Sequence, residues 1–137
     1  MPVNSRPRLA VLLNDMNSSG GIQRVAVNLV RELGERYDTR LLSVEPLRKP
    51  VFYDPDLHLA SLGFARRGGA NRLRYVAELS LVALKLRHYV IEQRIDIVLA
   101  IWYDFACIAA LALPRSVVKI GCEHIAYEEA PVGVEPT

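Results

Sequence analysis

The amino-acid sequence predicts an α/β protein with a doubly wound, mainly parallel sheet, and three observations carry that reading. Two apolar runs, LAVLL at 9–13 and IDIVLAI at 95–101, have the pattern of strands buried on both faces. Strand-like runs alternate with stretches of helical spacing in the order βαββαβαβ. With 51% hydrophobic and 23% charged residues among 137, and a mean hydropathy of +0.15, the chain suits one well-buried core with both sheet faces covered.

The first strand is 9–13. The turn formers NDMNSSGG at 14–21 follow, and the periodicity then becomes helical, with Ile22, Val25, Leu29 and Leu33 as the apolar face of a helix ending near 34–37. Residues 39–44 (TRLLSV), closed by Pro46, make the second strand and complete a βαβ unit with a right-handed crossover. Val51 to Tyr53 and 57–62, broken by Pro50 and Pro55, suggest a short third strand. Residues 70–93 form the longest helix. Its polar stripe is Arg74, Glu78, Lys85, His88 and Glu92, and its apolar residues cover most of the remaining circumference, so it is expected to pack heavily. The fourth strand is 95–101, a small-residue helix spans 103–113 before Pro114, and 117–121 (VVKIG) is the fifth strand. Residues 1–7 and 128–137 read as irregular, and the chain reads as one domain incomplete at its C-terminus.

A net charge of +2, from 17 basic and 15 acidic residues, gives no reason to expect nucleic-acid binding. The charge is uneven: 64–94 holds seven basic residues against two acids. Cys107 and Cys122 lie in apolar text without a zinc spacing and read as reduced, buried thiols, which points to the cytoplasm. Neither a signal peptide nor a membrane span is expected, because Asp104 splits the richest apolar run.

Ligands of open α/β sheets bind beyond the carboxyl ends of the strands, where strand order reverses. That rule selects the loops at 14–21, 101–104 and 122–127. In the first, Gly20 and Gly21 begin a helix whose bare amides and positive dipole end suit a phosphate or carboxylate. The loop is neither G-x-G-x-x-G nor a Walker A motif. A turn that needs glycine for its own geometry is the competing reading. Trp102, Tyr103 and Asp104 could shape a pocket, with the two rings as its walls; alternatively Trp102 caps the core and Asp104 caps the next helix. Asp15 either contacts a ligand or closes an Asx turn.

The stretch LAVLLNDMNSSGGIQRVAVNLVRELGERYD resembles the opening of family 4 glycosyltransferases of the GT-B fold, in which a strand leads into a Gly-Gly-x-x-Arg turn and a Val-x-x-Leu helix. Here those residues are Gly20, Gly21, Arg24, Val25 or Val27, and 29–33. IDIVLAIWYDFACIAALAL and VVKIGCEHIAY resemble that family's fourth strand with its helix and its fifth strand with a histidine-bearing loop. The likeness extends to about Tyr127.

It implies the Rossmann-like, acceptor-side half of an enzyme that moves a sugar from a nucleotide-sugar to an acceptor hydroxyl, with retention favoured. Gly20, Gly21 and Arg24 would meet the donor diphosphate. His124 would hydrogen-bond the transferred sugar or handle a proton, and Asp15, Trp102, Tyr103 and Glu123 would face the acceptor. No cofactor or metal is implied, since the nucleotide-sugar is a co-substrate. The acceptor is a glycan or lipid-linked, and residues 66–94 could rest on the inner face of a membrane. The donor-side half is missing, so the chain alone is expected to be inactive. Two other readings stand beside this one. A non-catalytic Rossmann-like module would bind a nucleotide or another ligand without turnover. A receiver-type signalling domain needs clustered acids at its strand ends, and only Asp15 and Asp104 are available.

Overall fold

The computed structural model describes residues 5–17, 20–47, 58–65 and 71–122, with Tyr103 described by its backbone alone. Eight elements follow one another: β1 (Arg8–Leu13), α1 (Gly21–Leu33), β2 (Asp38–Ser43), β3 (Leu59–Ser61), α2 (Arg72–Glu92), β4 (Ile97–Ile101), α3 (Tyr103–Ala112) and β5 (Val118–Cys122). All neighbouring strands pair in parallel, in the order β3-β2-β1-β4-β5. The chain moves one way from β1 and the other way from β4, so the sheet is doubly wound and its switch point lies between those two strands. The reading of 51–53 falls outside the described residues, and the third strand is trimmed to three residues at the sheet edge.

Continuous apolar text makes β1 the centre of the sheet, because only a strand covered on both faces can bury successive side chains. Leu9 to Leu13 are all 3% exposed or less. One set of alternate residues, Leu9, Val11 and Leu13, packs with Ala26, Val27 and Val30 of α1. The other set, Ala10 and Leu12, packs with Val82, Leu86 and Val90 of α2 and with Phe105 and Ile108 of α3. α1 and α3 thus lie on opposite faces while their strands step in opposite directions, as a single crossover hand requires.

Several expectations are corrected here. The buried face of α1 centres on Ala26, Val27 and Val30, with Ile22, Leu29 and Leu33 at its margins. In α2, Glu78 belongs to the inward face at 8% exposure, beside Val82, Leu86 and Val90. That helix is apolar on two opposite sides and only one can meet the sheet, so Leu73, Leu84 and Ile91 stay outside and the helix does not pack on all sides. Cys107 is exposed and Cys122 half-buried, so neither is the fully buried thiol expected. Coverage is incomplete as well, because Val118 and Ile120 of β5 are exposed beyond the reach of α1.

The ends of α2 show how local chemistry sets its limits. The Asn71 side chain accepts a hydrogen bond from the Leu73 amide at 3.0 Å and starts the helix. At the other end Arg94 takes a left-handed φ of 53°, and the amides of Arg94 and Ile95 donate to the carbonyls of Ile91 and Val90. This is the Schellman closure with arginine where glycine is usual.

Candidate functional site

A cavity of about 440 Å³ opens at the switch point, lined by Leu13, Asn14 and Asp15 from the end of β1, Ile22 and Gln23 from the first turn of α1, and Ile101, Trp102, Asp104 and Phe105 from the β4–α3 junction. It arises because β1 and β4 are neighbours whose helices leave to opposite faces, which parts the chain at their carboxyl ends.

The β1 side is held by a hydrogen-bonded turn. Asp15 Oδ1 accepts from the Asn17 amide at 2.8 Å and from Asn17 Nδ2 at 2.7 Å, an Asx turn, and Asn17 Nδ2 also donates to the Pro46 carbonyl at 2.9 Å. Asp15 therefore closes the turn and lines the cavity. Gln23 folds back over the loop, its Nε2 donating to the Asp15 carbonyl at 2.9 Å.

Gly20 is the N-cap of α1 and Gly21 its first residue, and both are exposed. No side chain caps this end and no acid lies in its first turn, so the helix presents its positive pole uncompensated among the described residues. Neither glycine has a positive φ: Gly20 sits at −73°. A Cβ on Gly21 would meet nothing within 4 Å, and one on Gly20 would meet only the flexible end of Gln23. The turn's own geometry therefore does not require glycine at 21. Arg24 is exposed one turn further along; neither it nor the two glycines line the cavity, and all three lie beside its α1 wall.

At the β4–α3 junction the chain passes from strand to helix through one residue. The Trp102 amide donates to the Cys122 carbonyl at 3.0 Å, and its carbonyl accepts from the Ala106 amide at 3.1 Å. Held from both sides, Trp102 adopts φ 106° and ψ 134°, a backbone region costing about 1–3 kcal/mol for a residue with a Cβ. Trp102 is 37% exposed and lines the cavity, while Phe105, 1% exposed, fills the core. The alternative in which Trp102 caps the core is thereby overturned. So is Asp104 as helix cap: Trp102 occupies that position, and Asp104, inside the first turn, accepts a 2.6 Å hydrogen bond from the Tyr75 hydroxyl of α2. Tyr103 opens α3. Glu123 and His124 lie outside the described residues.

Asp15, Trp102 and Asp104 are thus brought together around one cavity, with Asn14 and Gln23 as polar companions that the sequence did not single out as ligand-binding. The available signal was position: residues at the end of β1 and in the first turn of α1 must border the crevice of a doubly wound sheet. Among the described residues no group of three or more His, Cys, Asp or Glu is placed to hold a metal ion.

No protein-family model matches the chain, and no curated protein matches its sequence. Its structure is similar to the solved structure of a sucrose-phosphate synthase from Thermosynechococcus elongatus, with a TM-score of 0.57 and 11% sequence identity, covering 77% of this chain and 29% of that one. At that identity the likeness is one of fold. The fold is the Rossmann-like α/β arrangement expected from the sequence, and the chain spans under a third of the neighbour's length.

Proposed function

We propose that this chain is the acceptor-side half of a glycosyltransferase that moves a sugar from a nucleotide-sugar to the hydroxyl of a glycan or lipid-linked acceptor. The observation that supports this reading most directly is the uncapped start of α1, where Gly21 leaves open space beside a cavity walled by an aromatic side chain. Sharing a fold with a protein described as a sucrose-phosphate synthase fits the same reading. In it the amides at Gly20 and Gly21 receive the donor diphosphate and Arg24 adds positive charge. As the glycosidic bond breaks, negative charge grows on the leaving diphosphate, and fixed amide dipoles stabilise it without reorganising. Trp102 and Tyr103 present ring faces to the acceptor, with Asp15 and Glu123 as hydrogen-bonding partners. His124 holds the transferred sugar or takes the acceptor proton, and the reaction retains anomeric configuration. A second, donor-holding half completes the cleft, in the cytoplasm.

The test is calorimetric titration of the purified chain with UDP, GDP and ADP, alongside a sugar-transfer assay. One nucleoside diphosphate should bind and no transfer should occur. Absence of binding to any of the three overturns the donor placement, and transfer by the 137-residue chain alone overturns the need for a second half. Once the halves are joined, His124→Ala should lower kcat; a non-catalytic module would show no turnover to lower.

A further inference from the structure

The side of α2 turned away from the sheet carries large apolar residues that nothing covers among the described residues: Leu73 is 81%, Leu84 65%, Ile91 54% and Leu81 48% exposed. No described helix is long and apolar enough to cross a membrane. Leu73, Ala77, Ser80, Leu84, Arg87 and Ile91, all exposed, recur at alternating intervals of four and three residues, the spacing by which one helix seats against another. At about 100° per residue they stay within roughly 40° of Leu73, so they form one seam along a helix about 31 Å long. Its two polar members do not obstruct a partner. The Ser80 hydroxyl donates to the Val76 carbonyl at 2.8 Å, so covering it strands no polar atom. Arg87 Nη1 donates to the Ala112 carbonyl at 2.6 Å, which draws the guanidinium off the seam towards the end of α3.

The seam has the same intervals read from either end, which is the property a two-fold interface requires. We infer that the outward face of α2 pairs with the same face of a second copy, the two helices antiparallel about an axis level with Val82. In that register Leu73 meets Ile91 of the second copy, Ala77 meets Arg87, and Ser80 meets Leu84, so each long side chain at the centre faces a short one. Leu81 meets its own copy beside the axis. Charge complements the fit. Arg74 and Glu92 each follow a seam end by one residue and lie on the same flank, so the pairing sets Arg74 of each copy beside Glu92 of the other. Arg72 and Arg74 stand in the first turn, where the helix's own dipole disfavours them and no acid offsets it, and an antiparallel partner brings its negative pole there. A parallel pair would set Arg74 and Arg87 against their like. The pairing does not depend on what the cavity binds.

Sedimentation equilibrium of the purified chain at about 5–500 μM tests this and should show one reversible monomer–dimer step. Leu84→Ser with Ile91→Ser should raise the dimer Kd about tenfold or more, with the urea midpoint unchanged at a concentration where the chain is monomeric, because both residues are exposed. Arg74→Glu and Glu92→Arg should each raise it about fivefold or more, since the two-fold doubles every change, and the two together should return it to within about twofold of the original. Each of these charge exchanges agrees with the helix dipole, so neither should weaken the fold. A monomer at every concentration, assembly beyond two copies, a dimer indifferent to the serine pair, or a doubly exchanged chain that pairs no more tightly than the single variants overturns the inference.

Discussion

Replacing Gly21 with alanine separates a glycine kept for folding from one kept for a ligand. Gly21 is the first residue of α1, its φ is not positive, and an added Cβ would touch nothing within 4 Å. Alanine is the better helix former by about 1 kcal/mol in a helix interior, and roughly half of that should survive at a first-turn position. Gly21→Ala should therefore leave the urea-unfolding free energy unchanged or raise it by about 0.5 kcal/mol. Ligand binding should move the other way. An anionic oxygen bonded to an amide sits about 2.9 Å from the nitrogen, whereas a methyl carbon holds other heavy atoms at about 3.5 Å or more. Forfeiting one hydrogen bond to a charged group costs about 1.5–3 kcal/mol, or roughly a 10- to 150-fold rise in Kd. Parallel urea melts and titrations of both proteins with the nucleoside diphosphate that binds would measure this. Unchanged affinity would refute the ligand role of Gly21, and a stability loss above about 1 kcal/mol would refute the claim that the fold does not need it.

At Trp102 the usual order of alanine and glycine should invert. Because φ there is 106°, Trp102→Gly should be more stable than Trp102→Ala by about 1 kcal/mol in the same urea assay, and equal or reversed midpoints would contradict the strained junction. Both variants should weaken acceptor binding once an acceptor is known, since each deletes the ring. Arg94→Gly, at the left-handed closure of α2, should raise stability by about 0.5–1 kcal/mol, read as a higher denaturation midpoint; a fall would mean that the Arg94 side chain outweighs its backbone strain.

Much of the fold was legible because its signals are local. Apolar runs at β1 and β4 and prolines after β2 and α3 each act through neighbours in the chain, and all eight elements fall within a few residues of where the sequence puts them. Position along the chain also led to Asp15 and Trp102 at the crevice, because the carboxyl ends of central strands must border it. Gln23 was missed: its role comes from folding back to the Asp15 carbonyl, a contact that follows from the shape of the turn and not from any motif. Arg40 looked like an ordinary polar residue in a strand, yet it is 4% exposed, with contacts to Asp38 and to Gln93 at the end of α2. Its burial depends on the end of α2, with Gln93 53 residues further along the chain, docking beside it.

By itself the sequence determined the order and kind of the elements, the parallel sheet and the loop that begins α1, since periodicity and turn chemistry act over a few residues. Only the tertiary structure decided which apolar side of α2 meets the sheet, that Glu78 goes inward while Leu73 and Leu84 stay out, and that Trp102 is bent into a strained conformation facing the cavity. Those outcomes rest on contacts between distant segments. A helix with two apolar sides is equally well formed in either orientation until the sheet covers one of them.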